Sequence, residues 1–453
     1  MQDYVTNYEE AVAYVYRIPR FNKDHSLEKI QHFLTRMGQP DRQMKVVHIA
    51  GTNGKGSTSA YLAGLLEKAG LKVGLFTSPH LVDVRERFQV NSVMISKELF
   101  TEAVREILHL LETAEDSEDY QPCYFDMMFF IGMYAFKKEQ VDILVLETGL
   151  GGRLDATNAV TRKVLTLITH ISLDHTEYLG DTLEAIAAEK AGIMKTQVPC
   201  IVGLHNEEVA HIFMKKATEL GSPCRILEKE VYGCLRVYEK SVAFSYFSSY
   251  YGIVDISLNT SALYQVANAS LALAGFEQLI TSGIIAPKAL SVEMLQDALI
   301  QTSWPGRMEE VRDGVFLDGA HNVDGIQAFL DSVRQDGCKG QRILVFSAVG
   351  DKRLKEMVHA LDNDVLFSQI IVTEVQNARG IPVLELLSYF LLEKTGRSLY
   401  TKTTAAEAMG LAISLKKQKD YIYVAGSLYL VGEIKSYLTS ANLLTKEEQC
   451  LYE

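Results

Sequence analysis

The stretch VVHIAGTNGKGSTSAYLAGLLEKAGLKVGLFTSPHL, residues 46–81, decides the fold. Its first residues are apolar and rich in β-branched side chains, which predicts a buried strand. STSAYLAGLLEKAG then has leucines at helical spacing and ends on Gly70, which is typical of a helix C-cap. LKVGLFTS predicts a second buried strand. A glycine-rich turn between a strand and a helix directs backbone N–H groups at one spot, so we expect this turn to bind phosphate.

The side chains of the turn fit a nucleoside triphosphate. Lys55 provides a mobile cation for the outer phosphates, and Ser57 or Thr58 offers a hydroxyl to a magnesium ion. A tight turn without a ligand would account for the glycines, but not for a lysine beside two hydroxyls. The predicted ATP-binding loop comprises Gly51, Thr52, Asn53, Gly54, Lys55, Gly56, Ser57 and Thr58.

The sequence of this loop departs from the usual phosphate-loop motif. The usual phosphate loop, G-x-x-x-x-G-K-[ST], has four residues between its glycines and a hydroxyl directly after the lysine. Here only two residues separate Gly51 from Gly54, and Gly56 follows Lys55. This departure argues against an ordinary kinase or GTPase. GTNGKGS resembles the loop of the Mur ligase superfamily, and in particular that of the folylpolyglutamate synthase/dihydrofolate synthase family.

Length and composition limit the possible classes. A chain of 453 residues predicts two or three domains, and 47% apolar residues allow large cores. The net charge of −12 argues against general nucleic-acid binding. The sequence has no apolar run of membrane-spanning length and no secretory signal at its N-terminus. Six scattered cysteines without C-x-x-C pairs are typical of reduced thiols, so we expect a cytoplasmic protein without a membrane partner.

The order of predicted elements gives the domain organisation. Strands predicted at 45–50, 72–77, 141–147, 164–170 and 197–203 alternate with helical segments. This alternation predicts an α/β fold with a doubly wound, mostly parallel sheet. Residues 229–258 predict an antiparallel meander, and alternation restarts beyond QTSWPGRMEE. We therefore expect an ATP-binding phosphate-loop domain at 1–298, resembling the central domain of Mur ligases, and a smaller C-terminal α/β ligase domain at 299–453.

Glu147 is a candidate magnesium ligand on the basis of its position. It ends a buried parallel strand, LVLE, and precedes the glycine-rich turn TGLGGR. Hard oxygen ligands for magnesium are expected at the carboxyl edge of a sheet that carries a phosphate loop. A solvated turn residue is the alternative for a lone strand-end glutamate.

The family resemblance implies further metal ligands. SLDHTEYLGDTLEAIAAEKAGI resembles the second metal site of folylpolyglutamate synthases, which implies that His175 binds magnesium and that Lys190 is carbamylated. Ser78, in FTSPHL, matches the serine that binds the other magnesium in the family. The resemblance therefore implies two magnesium ions, held by Ser78, Glu147, His175 and Lys190, with Lys55, His175 and Lys190 as catalytic residues.

The resemblance also implies the remaining nucleotide and acceptor contacts. Asn268 is expected to reach ATP, Arg307 to reach its phosphates, and Asp318 and His321 to face the nucleotide. CYFDMMFF and RLDATN match segments that surround the pterin in dihydropteroate-binding relatives. The implied acceptor residues are Phe125, Asp126, Leu154, Asp155 and Ala156. For CYFDMMFF, an aromatic helix start packed in the core is the alternative.

The resemblance implies an ATP-dependent amide ligase that adds L-glutamate to a folate or dihydropteroate carboxylate through an acyl phosphate, with ATP as co-substrate. A monomer is expected. One alternative is a cell-wall Mur ligase that binds a UDP-sugar peptide. The motifs FTSPHL, GLGGRLDATN and DHTEYLGDT argue against it. A second alternative is a nucleotide-switch ATPase that makes no amides and therefore needs no pocket for a carboxylate or an amine substrate.

Overall fold

The computed structural model describes the chain in nine ranges: 5–20, 26–113, 120–204, 207–287, 290–350, 353–363, 365–377, 379–392 and 397–441. The chain divides into two compact units. Unit 1 comprises Met1–Gly233, Ser245–Ile256 and Ala267–Thr302, and unit 2 comprises Cys234–Phe244, Ser257–Val266 and Ser303–Glu453. The sequence had predicted a single boundary at residues 298/299, whereas two segments before it belong to unit 2.

Unit 1 is built on an eight-stranded sheet of order β4-β3-β2-β5-β1-β6-β7-β8. Its strands are β1 Lys45–Ala50, β2 Val73–Phe76, β3 Phe88–Val90, β4 Val93–Met94, β5 Ile143–Glu147, β6 Lys163–Ile168, β7 Cys200–Val202 and β8 Cys224–Ile226. Strands β2, β5, β1, β6, β7 and β8 are parallel, and β3 and β4 pair antiparallel at one edge. The predicted doubly wound, mostly parallel sheet is confirmed.

Helices cover both faces of this sheet. They are α1 Tyr8–Arg17, α2 Leu27–Arg36, α3 Lys55–Lys68, α4 Lys97–Glu112, α5 Tyr124–Lys138, α6 Thr176–Leu179, α7 Leu183–Ala191, α8 Glu207–Leu220, α9 Tyr264–Thr281 and α10 Val292–Gln301. The first three residues of α9 belong to unit 2. One apolar core packs α1, α2, α4 and α5, and a second packs α7 and α8. The central parallel strands are buried on both sides, which explains their continuous apolar sequences.

The order of the strands positions the site. β1 lies between β5 and β6, so the chain leaves β1 toward β2 on one side and later returns to β6 on the other. In open α/β sheets, ligands bind at the carboxyl edge where the winding direction reverses. Both the glycine-rich loop after β1 and the end of β5 lie at that edge, with Ile49 opposite Glu147 in register.

A three-stranded sheet of order β11-β10-β9 follows, formed by β9 Tyr232–Val237, β10 Val242–Ser248 and β11 Gly252–Leu258. Consecutive strands are neighbours, as a meander requires. Unit 2 carries a six-stranded sheet of order β12-β13-β17-β14-β15-β16. Its strands are β12 Glu309–Arg312, β13 Val315–Leu317, β14 Arg342–Phe346, β15 Gln369–Thr373, β16 Ser398–Lys402 and β17 Tyr421–Ala425.

Unit 2 has the mixed α/β organisation that the sequence predicted. Its sheet is parallel except for β12, which pairs antiparallel with β13. Its helices are α11 Val323–Arg334, α12 Leu354–Asn363, α13 Val383–Leu392, α14 Ala405–Leu415 and α15 Leu428–Ser440. One apolar core fills this unit, with Phe329, Phe346 and Tyr423 among its fully buried members.

Candidate active site

The predicted phosphate loop joins β1 to α3 at the carboxyl edge of the large sheet. Gly54 is the N-cap of α3 and has a left-handed backbone, with φ of 90°. A Cβ at this position would also overlap Oδ1 of Asn268. Glycine is therefore required both by the backbone conformation and by this close approach. The same contact brings Asn268, a predicted nucleotide-binding residue, against the N-terminus of α3.

The segment after β6 holds the loop in place. The N–H groups of Thr52 and Asn53 donate to the carbonyl of His170, at 2.8 and 3.3 Å. The Thr52 hydroxyl donates to the Ser172 carbonyl and accepts from the Ser172 N–H, both at 3.1 Å. Nζ of Lys55 donates to the carbonyl of Thr52 at 3.1 Å. These hydrogen bonds fix the backbone that is predicted to surround the phosphates.

The first turn of α3 contains hydroxyls that are free to bind a ligand. Oγ of Ser57 and Oγ1 of Thr58 are buried, and neither has a hydrogen-bond partner within the described ranges. Buried polar groups almost always have partners in folded proteins. A phosphate oxygen or a magnesium ion at the N-terminus of this helix would supply the missing partner.

Glu147 lies beside the phosphate loop, as its strand-end position predicted. Its side chain is 3% exposed. Oε2 accepts the N–H of Ser78 at 3.1 Å, and Oε1 lies 3.9 Å from Nζ of Lys55. Parallel strands thus bring together three predicted site residues that are distant in sequence: Lys55, Ser78 and Glu147.

Lys190 reaches the loop from α7. The residue is 4% exposed, and its Nζ donates to the carbonyl of Gly51 at 2.8 Å. Burial, and then the cation of Lys55, lower the pKa of Lys190 from 10.5 to about 7, against the opposing carboxylates of Asp174 and Asp155. Near neutral pH a large fraction of this amine is therefore uncharged.

His175 is the most exposed of the predicted metal ligands. Its side chain is 47% exposed, and its backbone is left-handed where it precedes α6. Nε2 lies 3.9 Å from Oδ1 of Asp174. Because the Asp174 carboxylate acts on the pKa of Lys190, this loop lies near the Lys190 amine. Within the described ranges, no group of three or more His, Cys, Asp or Glu side chains is arranged to hold a metal.

Two predicted acceptor residues begin α5. The ring of Phe125 packs so closely on Gly149 that a Cβ there would overlap it, and it makes an edge contact with Phe76, with ring centroids 6.0 Å apart. The buried Asp126 carboxylate accepts the N–H of Cys123 at 3.1 Å and caps the helix. The Asp126 carboxylate therefore caps the N-terminus of α5.

The loop after β5 is organised by Asp155. Its Oδ2 accepts the N–H groups of Gly149 and Leu150 at 2.9 and 2.8 Å, and its Oδ1 accepts from the N–H and hydroxyl of Thr157. Burial raises the pKa of Asp155, although all these hydrogen bonds oppose the rise. Leu154 is 52% exposed, whereas Ala156 is buried in the core.

Sequence reasoning missed two buried polar residues beneath this loop. His48, in the middle of β1, is fully buried, and its Nε2 is 2.8 Å from Oγ1 of Thr157. Lys163 is also buried and donates to Asn158 Oδ1 at 2.6 Å. Burial lowers the pKa of both groups. A histidine inside the apolar run KVVHIA was the available signal.

Unit 2 has its own cluster of predicted residues after β13. Asp318 is buried and accepts the N–H groups of Met308 and Ala320 at 3.0 and 2.8 Å and the Tyr264 hydroxyl at 2.6 Å. Burial raises its pKa. Arg307 packs closely on Gly319, and Nη1 donates to the carbonyl of Gly306 at 2.8 Å.

His321 belongs to the same cluster, since its Nδ1 is 2.7 Å from the carbonyl of Gly319. Sequence reasoning missed Tyr264 as the partner of Asp318. The hydrogen bonds from Met308, Ala320 and Tyr264 occupy both oxygens of Asp318, so Asp318 organises the loop that follows β13. Arg307 is the cation beside this carboxylate.

Among the described residues, no helix is both long and apolar enough to cross a membrane.

Two family descriptions match the chain. Residues 126–275 match the Mur ligase middle domain, and residues 306–428 match the glutamate ligase domain of Mur ligases.

Similar proteins cover nearly the whole chain. A dihydrofolate synthase/folylpolyglutamate synthase of Bacillus subtilis is 30% identical over 443 residues, covering 96% of this chain and 99% of its own. A folylpolyglutamate synthase of Lacticaseibacillus casei is 30% identical over 95% of this chain and 99% of its own.

Solved structures agree. Mycobacterium tuberculosis folylpolyglutamate synthase complexed with ADP and AMPPCP is 26% identical, with a TM-score of 0.83 over 91% of this chain and 95% of its own. E. coli FolC in complex with DHPP and ADP is 27% identical, with a TM-score of 0.83 over 96% of this chain and 99% of its own. The chain therefore belongs to the folylpolyglutamate/dihydrofolate synthase family and is an ATP-dependent glutamate ligase.

Proposed function

We propose that this ligase joins L-glutamate to the carboxylate of a folate or of dihydropteroate through an acyl phosphate. An oxygen of that carboxylate bonds to the γ-phosphorus of ATP, and the bond between this phosphorus and the ADP oxygen breaks. The amine nitrogen of L-glutamate then bonds to the acyl carbon, phosphate leaves with its electron pair, and the nitrogen loses a proton. The observation that carries the proposal is the meeting of Lys55, Ser78 and Glu147 at the end of the phosphate loop.

The residues of this chain would act mainly by positioning and by charge stabilisation. Backbone N–H groups at 51–58 and the cation of Lys55 would hold the β- and γ-phosphates, and Arg307 would add a second cation. A preorganised cation stabilises the charge that develops on the transferred phosphoryl group. Asn268, Asp318 and His321 are proposed to contact the nucleotide. The solved relatives that contain ADP or AMPPCP support this assignment.

The site fits magnesium. Mg²⁺ prefers oxygen ligands and usually binds through one or two carboxylates together with phosphates and water. Glu147, near Lys55 at the start of α3, suits such an ion, as do the Ser57 and Thr58 hydroxyls, which have no partner among the described residues. We propose that Ser78 and Glu147 hold one ion and that His175 and a carbamylated Lys190 hold a second. Bound magnesium would neutralise negative charge on the phosphates.

The acceptor is proposed to bind near the ring of Phe125 and the loop at 149–156. Phe125 offers an aromatic face to a flat heterocycle, and Leu154 is an exposed apolar side chain in the same region. The presence of DHPP in the E. coli structure supports a pterin-type acceptor. The polar edges of this pocket are assigned to Asp126 and Asp155, which also brace the local backbone.

Purified enzyme with Mg·ATP and labelled L-glutamate, offered dihydropteroate and tetrahydrofolate in parallel, tests the function. We expect the label to enter an amide product with at least one acceptor, and ADP to accumulate over many turnovers only when acceptor and glutamate are both present. ATP hydrolysis that is independent of the acceptor, with no labelled amide from either compound, would contradict the proposal.

Replacing Glu147 by glutamine tests the magnesium assignment. The substitution keeps the shape of the side chain but removes the charge that a hard cation requires. The magnesium concentration for half-maximal rate should rise about tenfold or more. Glu139→Gln is a matched control, because Glu139 is half-exposed and forms an ion pair with Lys72 at 2.8 Å, away from the phosphate loop. If initial rates of Glu147→Gln titrate with magnesium as in the unaltered enzyme, Glu147 is a structural residue.

A further inference from the structure

Arg87 is a buried cation for which the described part of the chain supplies no carboxylate. The residue is 6% exposed and ends the segment SPHLVDVRER. Its guanidinium makes one hydrogen bond, from Nε to Nδ1 of His80 at 2.8 Å. Nη1 and Nη2 have no partner among the described residues. A buried charge without a counter-charge is costly, so such a group is expected to meet an anion from outside the chain.

The acidic side chains of the same segment are already engaged. Asp83 forms a bidentate pair with Arg85, with its shortest contact at 2.8 Å, and also accepts the Tyr8 hydroxyl. Glu86 accepts three backbone N–H groups, those of residues 81–83. Neither carboxylate forms an ion pair with Arg87.

His80 does not supply an anion either. Because Nδ1 accepts the hydrogen bond from Arg87, the ring proton is on Nε2, which donates to the Tyr16 hydroxyl at 3.1 Å. The imidazole is therefore neutral and fixed in one tautomer. The hydrogen bond holds the guanidinium by its Nε edge and leaves the two terminal nitrogens to a ligand.

Aromatic rings form one wall of this site. Cζ of Arg87 lies 5.6 Å from the ring centroid of Tyr124. Tyr16 stacks on Tyr124, with centroids 6.2 Å apart and planes 9° from parallel. Tyr124 directly precedes Phe125, the proposed pterin contact. The site therefore continues the proposed acceptor pocket along the start of α5.

The backbone of Arg87 is close to the carboxyl edge of the large sheet, where phosphoryl transfer is proposed to occur. The carbonyl of Arg87 accepts the N–H of Thr77 at 3.1 Å, and the next residue, Ser78, donates to Glu147. The backbone of Arg87 is thus hydrogen-bonded to the segment that carries Ser78, next to the proposed phosphoryl-transfer edge. The planar fork of an arginine suits a carboxylate.

We propose that Arg87 binds the non-reacting α-carboxylate of an acceptor that already carries glutamate, an inference that rests on the proposed function. The reacting carboxylate is the less suitable ligand, because pairing with a guanidinium would stabilise it before the reaction and make it a weaker nucleophile. Dihydropteroate has only the reacting carboxylate, whereas a glutamylated folate has both. Arg87 would therefore favour glutamylated acceptors over dihydropteroate.

Equilibrium binding to the full-length protein tests this. The probes are pteroylglutamate and pteroyl-γ-aminobutyrate, which both keep the reacting carboxylate and differ only in the α-carboxylate. The unaltered protein should bind pteroylglutamate more tightly, and Arg87→Gln should reduce the ratio of the two dissociation constants about tenfold. Arg87→Lys, which keeps the charge but loses the fork, should give an intermediate ratio and serves as the second variant if Arg87→Gln is unstable.

Arg85→Gln is the matched control, since Arg85 lies in the same turn but is paired with Asp83. It should change both dissociation constants by a similar factor. An unchanged ratio in both Arg87 variants, or a rise in the KM for L-glutamate instead, would overturn the inference. Ligation of labelled glutamate by the unaltered protein shows separately that the proposed function holds. Failure to bind either probe, in a protein that still ligates glutamate to dihydropteroate, would overturn this inference and leave the proposed function standing.

Discussion

Replacing Lys55 by alanine is expected to lower the rate of glutamate ligation about a thousandfold, the scale of one preorganised charge-stabilising group. Nζ of Lys55 lies 3.1 Å from the carbonyl of Thr52 and 3.9 Å from Oε1 of Glu147. In the proposed mechanism this cation acts where the phosphoryl group gains negative charge during transfer. Initial rates at saturating ATP, acceptor and glutamate measure the effect.

The fold should tolerate this change, because Lys55 lies in neither of the two apolar cores described for unit 1. Its melting temperature should stay close to that of the unaltered protein. Lys68→Ala is the control: Lys68 ends the same helix and lies 3.7 Å from the exposed Asp297. That variant should keep normal activity. If Lys55→Ala melts normally and turns over at a near-normal rate, Lys55 has no part in the mechanism.

Replacing Lys190 by alanine is expected to lower activity about a hundredfold, the upper end of the range for residues that support a metal site. The buried amine has a pKa of about 7, well below the ordinary 10.5. As pH rises through 7, the ammonium form gives way to the neutral amine that reacts with carbon dioxide. The nitrogen bonds to the carbon of carbon dioxide and releases a proton to solvent. The product is a carbamate anion, which would attract magnesium where an ammonium group would repel it.

Acetate should partly restore the alanine variant, because a small carboxylate can replace the carbamate oxygens. Chloride at equal ionic strength should not. Lys190→Arg should be inactive with or without acetate, since it keeps a cation and occupies the space. A ¹³C carbamate signal in protein supplied with labelled bicarbonate would show the modification directly. No such signal and no acetate rescue would exclude a carbamylated Lys190.

The phosphate loop and the parallel sheet were predictable because their signals are local. Gly54 and Lys55 lie in one short segment, and β1, β5 and β6 are mostly apolar runs that are buried along most of their length. Short strands at or next to the sheet edges were missed: β3, β4, β8, β12 and β16 have two to five residues and mixed burial. Such segments are strands only because a neighbouring strand pairs with them.

The site was predictable where topology determines it. The rule that parallel strands end at one edge predicted Glu147 near the phosphate loop. The contact of Lys190 with the Gly51 carbonyl joins residues 139 positions apart, and only family resemblance pointed to it. Arg87 gave no local signal, because its lack of a carboxylate partner among the described residues depends on where Asp83 and Glu86 direct their side chains. The bracing role of Asp155 depends in the same way on the folded loop.

Transfer of an oxygen isotope from the acceptor to phosphate tests the proposed reaction most directly. Acceptor whose reacting carboxylate carries ¹⁸O is incubated with enzyme, Mg·ATP and L-glutamate, and the released phosphate is examined by mass spectrometry. An acyl phosphate places one carboxylate oxygen in each phosphate, so we expect one ¹⁸O atom in phosphate for every amide formed from fully labelled acceptor. Amide formation with no ¹⁸O in the phosphate would contradict the account.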